Sequence, residues 1–176
     1  HWKPLITVVG SDAQYNERFG GDGSEAAVVE YLLSDQLNHG SVARRVAVAR
    51  ENLSTARETM PVEGWQAVND LYHYVNVESD RGADRRARDR FTRHVVSDSR
   101  RIDGILATTM SHDEAYAMWR LGRALERADM TTRVLGVRAA AVLIGTDETE
   151  QAYEDLLWMG VLQSLSGLQM YRRAVP

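Results

Sequence analysis

A chain of 176 residues with 44% apolar content is long enough for one domain with a packed core. Cysteine is absent, which removes disulfides, thiolate metal sites and cysteine nucleophiles. A net charge of -4 with a pI near 5.7 gives no global attraction to nucleic acid, and with a mean hydropathy of -0.38 no run approaches the roughly 18 apolar residues of a membrane span.

These features agree with a cytoplasmic protein. Lys3 is the only lysine, so nearly all positive charge is arginine. The chain starts at His1, so the expectation is a single domain over 1–176 that is cut at its N-terminus.

Trp2–Val9 is apolar and stops at Gly10; so short a run reads equally as a strand or as the end of a helix. Gly20–Ser24 is a loop, and Ser24 is placed to cap a helix over Glu25–Leu33. Asn38–Ser41 is a turn, with Ser41 capping the next helix. That helix carries an apolar seam of Val42, Val46, Ala49, Leu53, Ala56 and Met60. Pro61 opens another helix, with Trp65, Val68, Tyr72 and Val75 as its stripe. Glu78–Gly82 is a polar break. Asp84–Thr109 reads as a long helix with Phe91, Val95, Ile102, Ile105 and Leu106 inward.

Ser111 and Glu114 have the spacing of a capping box, and a helix follows to about Leu143. Its seam is Met118, Leu121, Leu125, Ala128, Thr132 and Leu135, a helical period that predicts packing against other helices. Gly122 inside it suggests a close approach by a helix or ligand. Gly145–Glu148 is a loop, and Tyr153–Arg173 reads as one closing helix. No segment alternates like a strand, so the fold class is all-α, an antiparallel bundle of about six helices.

The polar candidates lie on the Ser111 helix. Arg120, Arg123 and Arg127 share one face, with Glu126 among them and Asp129 and Arg133 one turn on. Arginine holds carboxylate or phosphate through a planar fork, so the stripe suits an anion or a docked partner. It equally suits an ion-pair ladder between helices, the commoner use of such stripes. On the Ser41 helix, Arg50, Glu51, Asn52, Arg57 and Glu58 flank the seam and are placed to complement Arg123, Glu126 and Arg127.

Other chemistry is poorly represented. Asp70-x-x-His73 stands alone, and His39, His73, His94 and His112 lack ligand spacing, so no metal site is expected. There is no nucleophile elbow, Walker loop or dinucleotide fingerprint. The eight arginines between 81 and 101 are interrupted by Asp84, Asp89 and Asp98, which reads as a solvated face and not as a nucleic-acid surface. An internal echo is also present: Trp2 and Tyr15 are spaced like Trp158 and Tyr171, each tryptophan opening an apolar run.

The run Arg120-Leu-Gly-Arg-Ala-Leu-Glu-Arg-Ala-Asp129 with Thr132-Arg133 resembles the hallmark of the bacterial alpha-E domain family. Ala49-Arg-Glu-Asn52, Arg57-Glu58, Trp65, Asn69 and Thr109-Met110 resemble it in the same order. The resemblance spans most of the chain. It implies a duplicated helical protein in which the Glu-Arg helix occurs twice, this chain carrying the second copy. Part of the polar face should then stand exposed. It also implies partners: a circularly permuted ATP-grasp ligase and, with it, transglutaminase-like peptidases, in a system that makes or modifies peptide or amide bonds. ATP and Mg would enter through the ligase, and no cofactor is expected in this chain.

Two functions follow as expectations. One is a non-catalytic scaffold that docks the ligase, with arginines holding carboxylates or phosphates. The other is an enzyme with Glu126 as acid/base beside an arginine clamp. A purely structural bundle is the third reading.

Overall fold

The computed structural model describes residues 2–144 and 158–175, and among them it contains helices and turns but no strand. The helices are α1 (Lys3–Val8), α2 (Asp12–Phe19), α3 (Glu25–Leu33), α4 (Val42–Thr55), α5 (Val62–Glu78), α6 (Arg85–Thr109) and α7 (Glu114–Ile144). A helical stretch over 158–164 and a last helix, Leu168–Ala174, follow. Short 3-10 turns, Arg57–Thr59 and Ser79–Ala83, bracket α5.

Most helix starts are where short polar side chains place them. The hydroxyl of Ser24 accepts from the Ala27 N–H at 3.2 Å, and that of Ser41 from the Arg44 N–H at 3.1 Å. Asp84 accepts from the Ala87 N–H at 2.7 Å and starts α6. Each such cap is worth about 1 kcal/mol. The start of α7 differs from the expectation. The Ser111–Glu114 capping box does not form; instead Asp113 accepts from the Tyr116 N–H at 3.3 Å, and Ser111 closes the preceding turn through its carbonyl. Asp caps as well as Ser does, and its charge is favoured at a helix N-terminus.

The core forms around α5. Leu71 and Val75 pack with Ala43 of α4, Phe91 of α6, and Val29 and Leu33 of α3. Val42, Val46, Tyr74, Val95 and Ile102 close its edges. The stripe on α5 is rotated from the predicted one: Gly64, Ala67, Val68, Leu71 and Val75 are buried, while Trp65 and Tyr72 are half-buried on the flank. The α4 seam is correct at Val42, Val46 and Leu53, but Ala49 and Ala56 are exposed and Ala43 is buried instead. Burial pushes the Tyr74 hydroxyl up from its ordinary pKa, with the charge of Glu78 adding to the effect.

A second cluster joins α1, α2 and α3. Ile6, Tyr15, Ala27, Val28 and Tyr31 are buried, with Trp2, Phe19 and Leu32 around them. Tyr15 stacks on Phe19 at 5.1 Å and meets Tyr31 edge-on at 5.0 Å. The Tyr15 hydroxyl donates to the Asp22 carbonyl, and burial followed by the charge of Asp22 raises its pKa. The ambiguous N-terminal run is therefore a helix, α1. It ends at Gly10, whose φ of 69° lies in the left-handed region.

The internal echo has a structural counterpart. In the first segment the Gly10 N–H donates to Thr7 O (3.0 Å) and the Ser11 N–H to Ile6 O (3.2 Å). In the second, the Ser166 N–H donates to Gln163 O (3.1 Å) and the Gly167 N–H to Leu162 O (2.7 Å). Both pairs make the same helix-ending motif with a positive φ at the same register, 69° at Gly10 and 59° at Ser166. One constant offset relates these residues and also Trp2 to Trp158 and Tyr15 to Tyr171. The predicted closing helix is thus broken at Leu165–Gly167. The predicted Gly145–Glu148 loop lies outside the described residues.

Candidate functional site on the Glu-Arg helix

α7 is the longest helix, and through Val137 none of its side chains is buried. The seam expected to pack faces outward: Met118 is 67% exposed, Leu121 50% and Leu125 61%. Gly122 has no neighbour within 4 Å of where a Cβ would stand, so the predicted close approach does not occur among the described residues.

The charged side chains of α7 reach three separate elements. Arg123 pairs with Asp103 of α6 at 2.6 Å while its guanidinium covers the Trp119 ring at 4.9 Å. Glu126 meets Arg45 of α4 at 3.5 Å. Arg133 is held by both oxygens of Asp129, at 2.9 and 2.8 Å, and its guanidinium lies against Gly10. A Cβ on Gly10 would meet Arg133 Nη1, the far end of an exposed side chain that can swing aside, so it is the positive φ that calls for glycine in the α1–α2 turn. Arg120 lies over Tyr116, and Arg127 makes no ion pair among the described residues.

The α4 candidates are used differently from the prediction. Arg50 donates to Asn69 Oδ1 at 2.7 Å and lies over Trp65 and Tyr72. Arg57, in the 3-10 turn that follows α4, also lies over the Trp65 ring at 5.4 Å. These contacts hold α4 to α5. Glu51 and Asn52 are exposed, and neither side chain reaches α7. The partners α7 does find, Arg45 and Asp103, carried no signal in the sequence beyond being charged residues on neighbouring helices.

A family described as a predicted alpha-helical domain with a conserved ER motif matches residues 1–176. The chain belongs to the Alpha-E family. No curated protein and no solved structure matches it. In this Alpha-E chain, Glu126-Arg127 is the Glu-Arg pair on α7 and Glu17-Arg18 is a second such dipeptide, on α2. Arg18 bridges to Asp35 and lies beside the Phe19 ring, so that pair braces the aromatic cluster. The Alpha-E helix α7 has ion pairs but, among the described residues, no buried side chain through Val137. Exposed pairs contribute about 0–1 kcal/mol each, so they orient the helix more than they hold it.

Among the described residues no group of three or more His, Asp or Glu is arranged to hold a metal ion. No helix among them is long and apolar enough to cross a membrane.

Proposed function

We propose that this chain is a non-catalytic docking module whose α7 presents the recognition surface. The observation that carries this reading is the exposed apolar seam Met118, Leu121 and Leu125 beside Arg120, Arg123 and Arg127. An apolar stripe of this kind, rimmed by charge, is what helix-in-groove or helix-on-helix partners recognise. The partner is a circularly permuted ATP-grasp ligase, with a transglutaminase-like peptidase as a further component, acting in peptide or amide-bond synthesis or modification. ATP and Mg belong to the ligase. The arginines contribute charge complementarity to carboxylates or phosphates on that partner.

Glu126 as an acid/base is the less supported reading. Its side chain is 64% exposed and is joined to Arg45 in open solvent, where nothing excludes water.

Co-expression with the ligase tests the proposal. Wild type should co-purify with it. The double variant Leu121→Glu, Leu125→Glu should lose the ligase at an unchanged melting temperature, since both side chains are exposed. Arg123→Ala should weaken the complex more at low salt than at high salt. Retention of the ligase by the seam variant would overturn the reading.

A further inference from the structure

A half-open cavity of about 320 Å³ lies between α3 and the turn Ser79–Ala83. Ala26 and Val29 are among its apolar lining residues, and Glu30, Ser34, Ser79 and Asp80 are the polar ones. The spacing of Ala26, Val29 and Glu30 puts them on one face of α3, with Ser34 following as its C-cap.

Three features point to a ligand. Ser79 is only 5% exposed, and its hydroxyl has no hydrogen-bond partner among the described residues. Buried hydroxyls are nearly always satisfied, so one that no protein group pairs with is open to a ligand of the cavity it lines. Glu30 and Asp80 form no ion pair among the described residues, although the neighbouring carboxylates do: Glu25, on α3, with Arg88, and Glu78, at the end of α5, with Arg81. The Ser34 hydroxyl is already turned to the Glu30 carbonyl at 3.4 Å, which leaves the two carboxylates and Ser79 as the open groups.

We infer that this cavity binds a primary aliphatic ammonium. An ammonium has three donors and no acceptor, matching two carboxylates and one hydroxyl oxygen. Its methylenes lie along Ala26 and Val29. A divalent cation is a poorer match, because no metal-holding group of side chains exists there among the described residues. The same chemistry is offered by a free diamine or by a lysine side chain, and the experiment separates them. This inference is independent of the docking role of α7.

The test titrates the full chain with n-butylammonium, 1,5-diaminopentane and Nα-acetyl-lysine amide, with 1-butanol as the neutral control, read by calorimetry. The ammonium probes should bind and butanol should not. Glu30→Gln and Asp80→Asn should each weaken n-butylammonium by about tenfold, roughly 1.4 kcal/mol, at an unchanged melting temperature because both side chains are exposed. Ser79→Ala should also weaken it without loss of fold. Tighter binding of diaminopentane assigns the site to a free diamine, and tighter binding of the lysine amide assigns it to a peptide side chain. Equal responses to butylammonium and butanol, or wild-type affinity in both carboxylate variants, would overturn the inference.

Discussion

α5 and α7 carry the same kind of apolar period and end in opposite situations. On α5, Ala67, Leu71 and Val75 are each 4% exposed or less, enclosed by α3, α4 and α6. On α7, Leu121 and Leu125 stand at least half exposed, and the helix is tied down by α1, by Arg45 and by Asp103. An apolar stripe therefore records that a helix has a face to cover, not that its own chain covers it. Burying one leucine yields about 1.5–3 kcal/mol, several times what an exposed ion pair supplies. The bracing of α7 cannot replace the packing that α5 enjoys.

Matched deletions break or sharpen this contrast most directly. Leu71→Ala should cost about 2–5 kcal/mol in denaturant unfolding. Leu125→Ala should stay within about 0.5 kcal/mol. A large cost at Leu125 would mean that α7 is packed after all. Gly10→Ala comes next, with a loss of about 1 kcal/mol, chiefly because alanine is strained at this φ, while the tip of Arg133 must swing aside from its Cβ. In an Arg133→Ala background the steric share should vanish and the φ share remain, which a double-mutant cycle of melting curves separates. Arg50→Ala should cost about 1 kcal/mol through the Asn69 hydrogen bond and the aromatic contacts, and Arg57→Ala less, because it keeps one ring contact at an exposed position. For Arg123 and Asp103 the coupling energy should be below about 1 kcal/mol and should shrink as salt is added.

The smallest effect is a pH dependence in the packed half. Hydrogen bonds from the Ser24 backbone and hydroxyl hold the Asp22 carboxyl below its ordinary pKa of 3.8. A lowered folded-state pKa gives stability that is present above 3.8 and is lost as the pH falls through the folded value. Asp22→Asn should flatten the acid limb of the stability profile and leave neutral pH nearly unchanged. An acid limb of unaltered slope would show that this loop adds nothing.

Much of the fold was legible before the structure. Ser24, Ser41 and Asp84 start helices because a short polar side chain satisfies an orphan N–H locally, and local bonds are written in local sequence. α2 was missed because only Tyr15 and Phe19 mark its apolar face within an otherwise polar run. The capping box at Ser111 was misread because Asp113, two residues on, competes for the same role. The candidate site was half legible. The members of the charged stripe on α7 follow from helical spacing, but Arg45 and Asp103 could not be chosen from among the many charged residues on α4 and α6.

The sequence by itself determined the all-α class, the starts of α3, α4 and α6 and the spacing of two matching segments that begin at Trp2 and Trp158, since these depend on periods and contacts within a few residues. Only the tertiary structure decided which apolar stripes are covered, that Arg50 joins α4 to α5 instead of meeting α7, and that Arg133 closes on Gly10. Those outcomes depend on how whole helices cross, and pairing across a crossing is set by distance in space, which spacing along one chain does not encode.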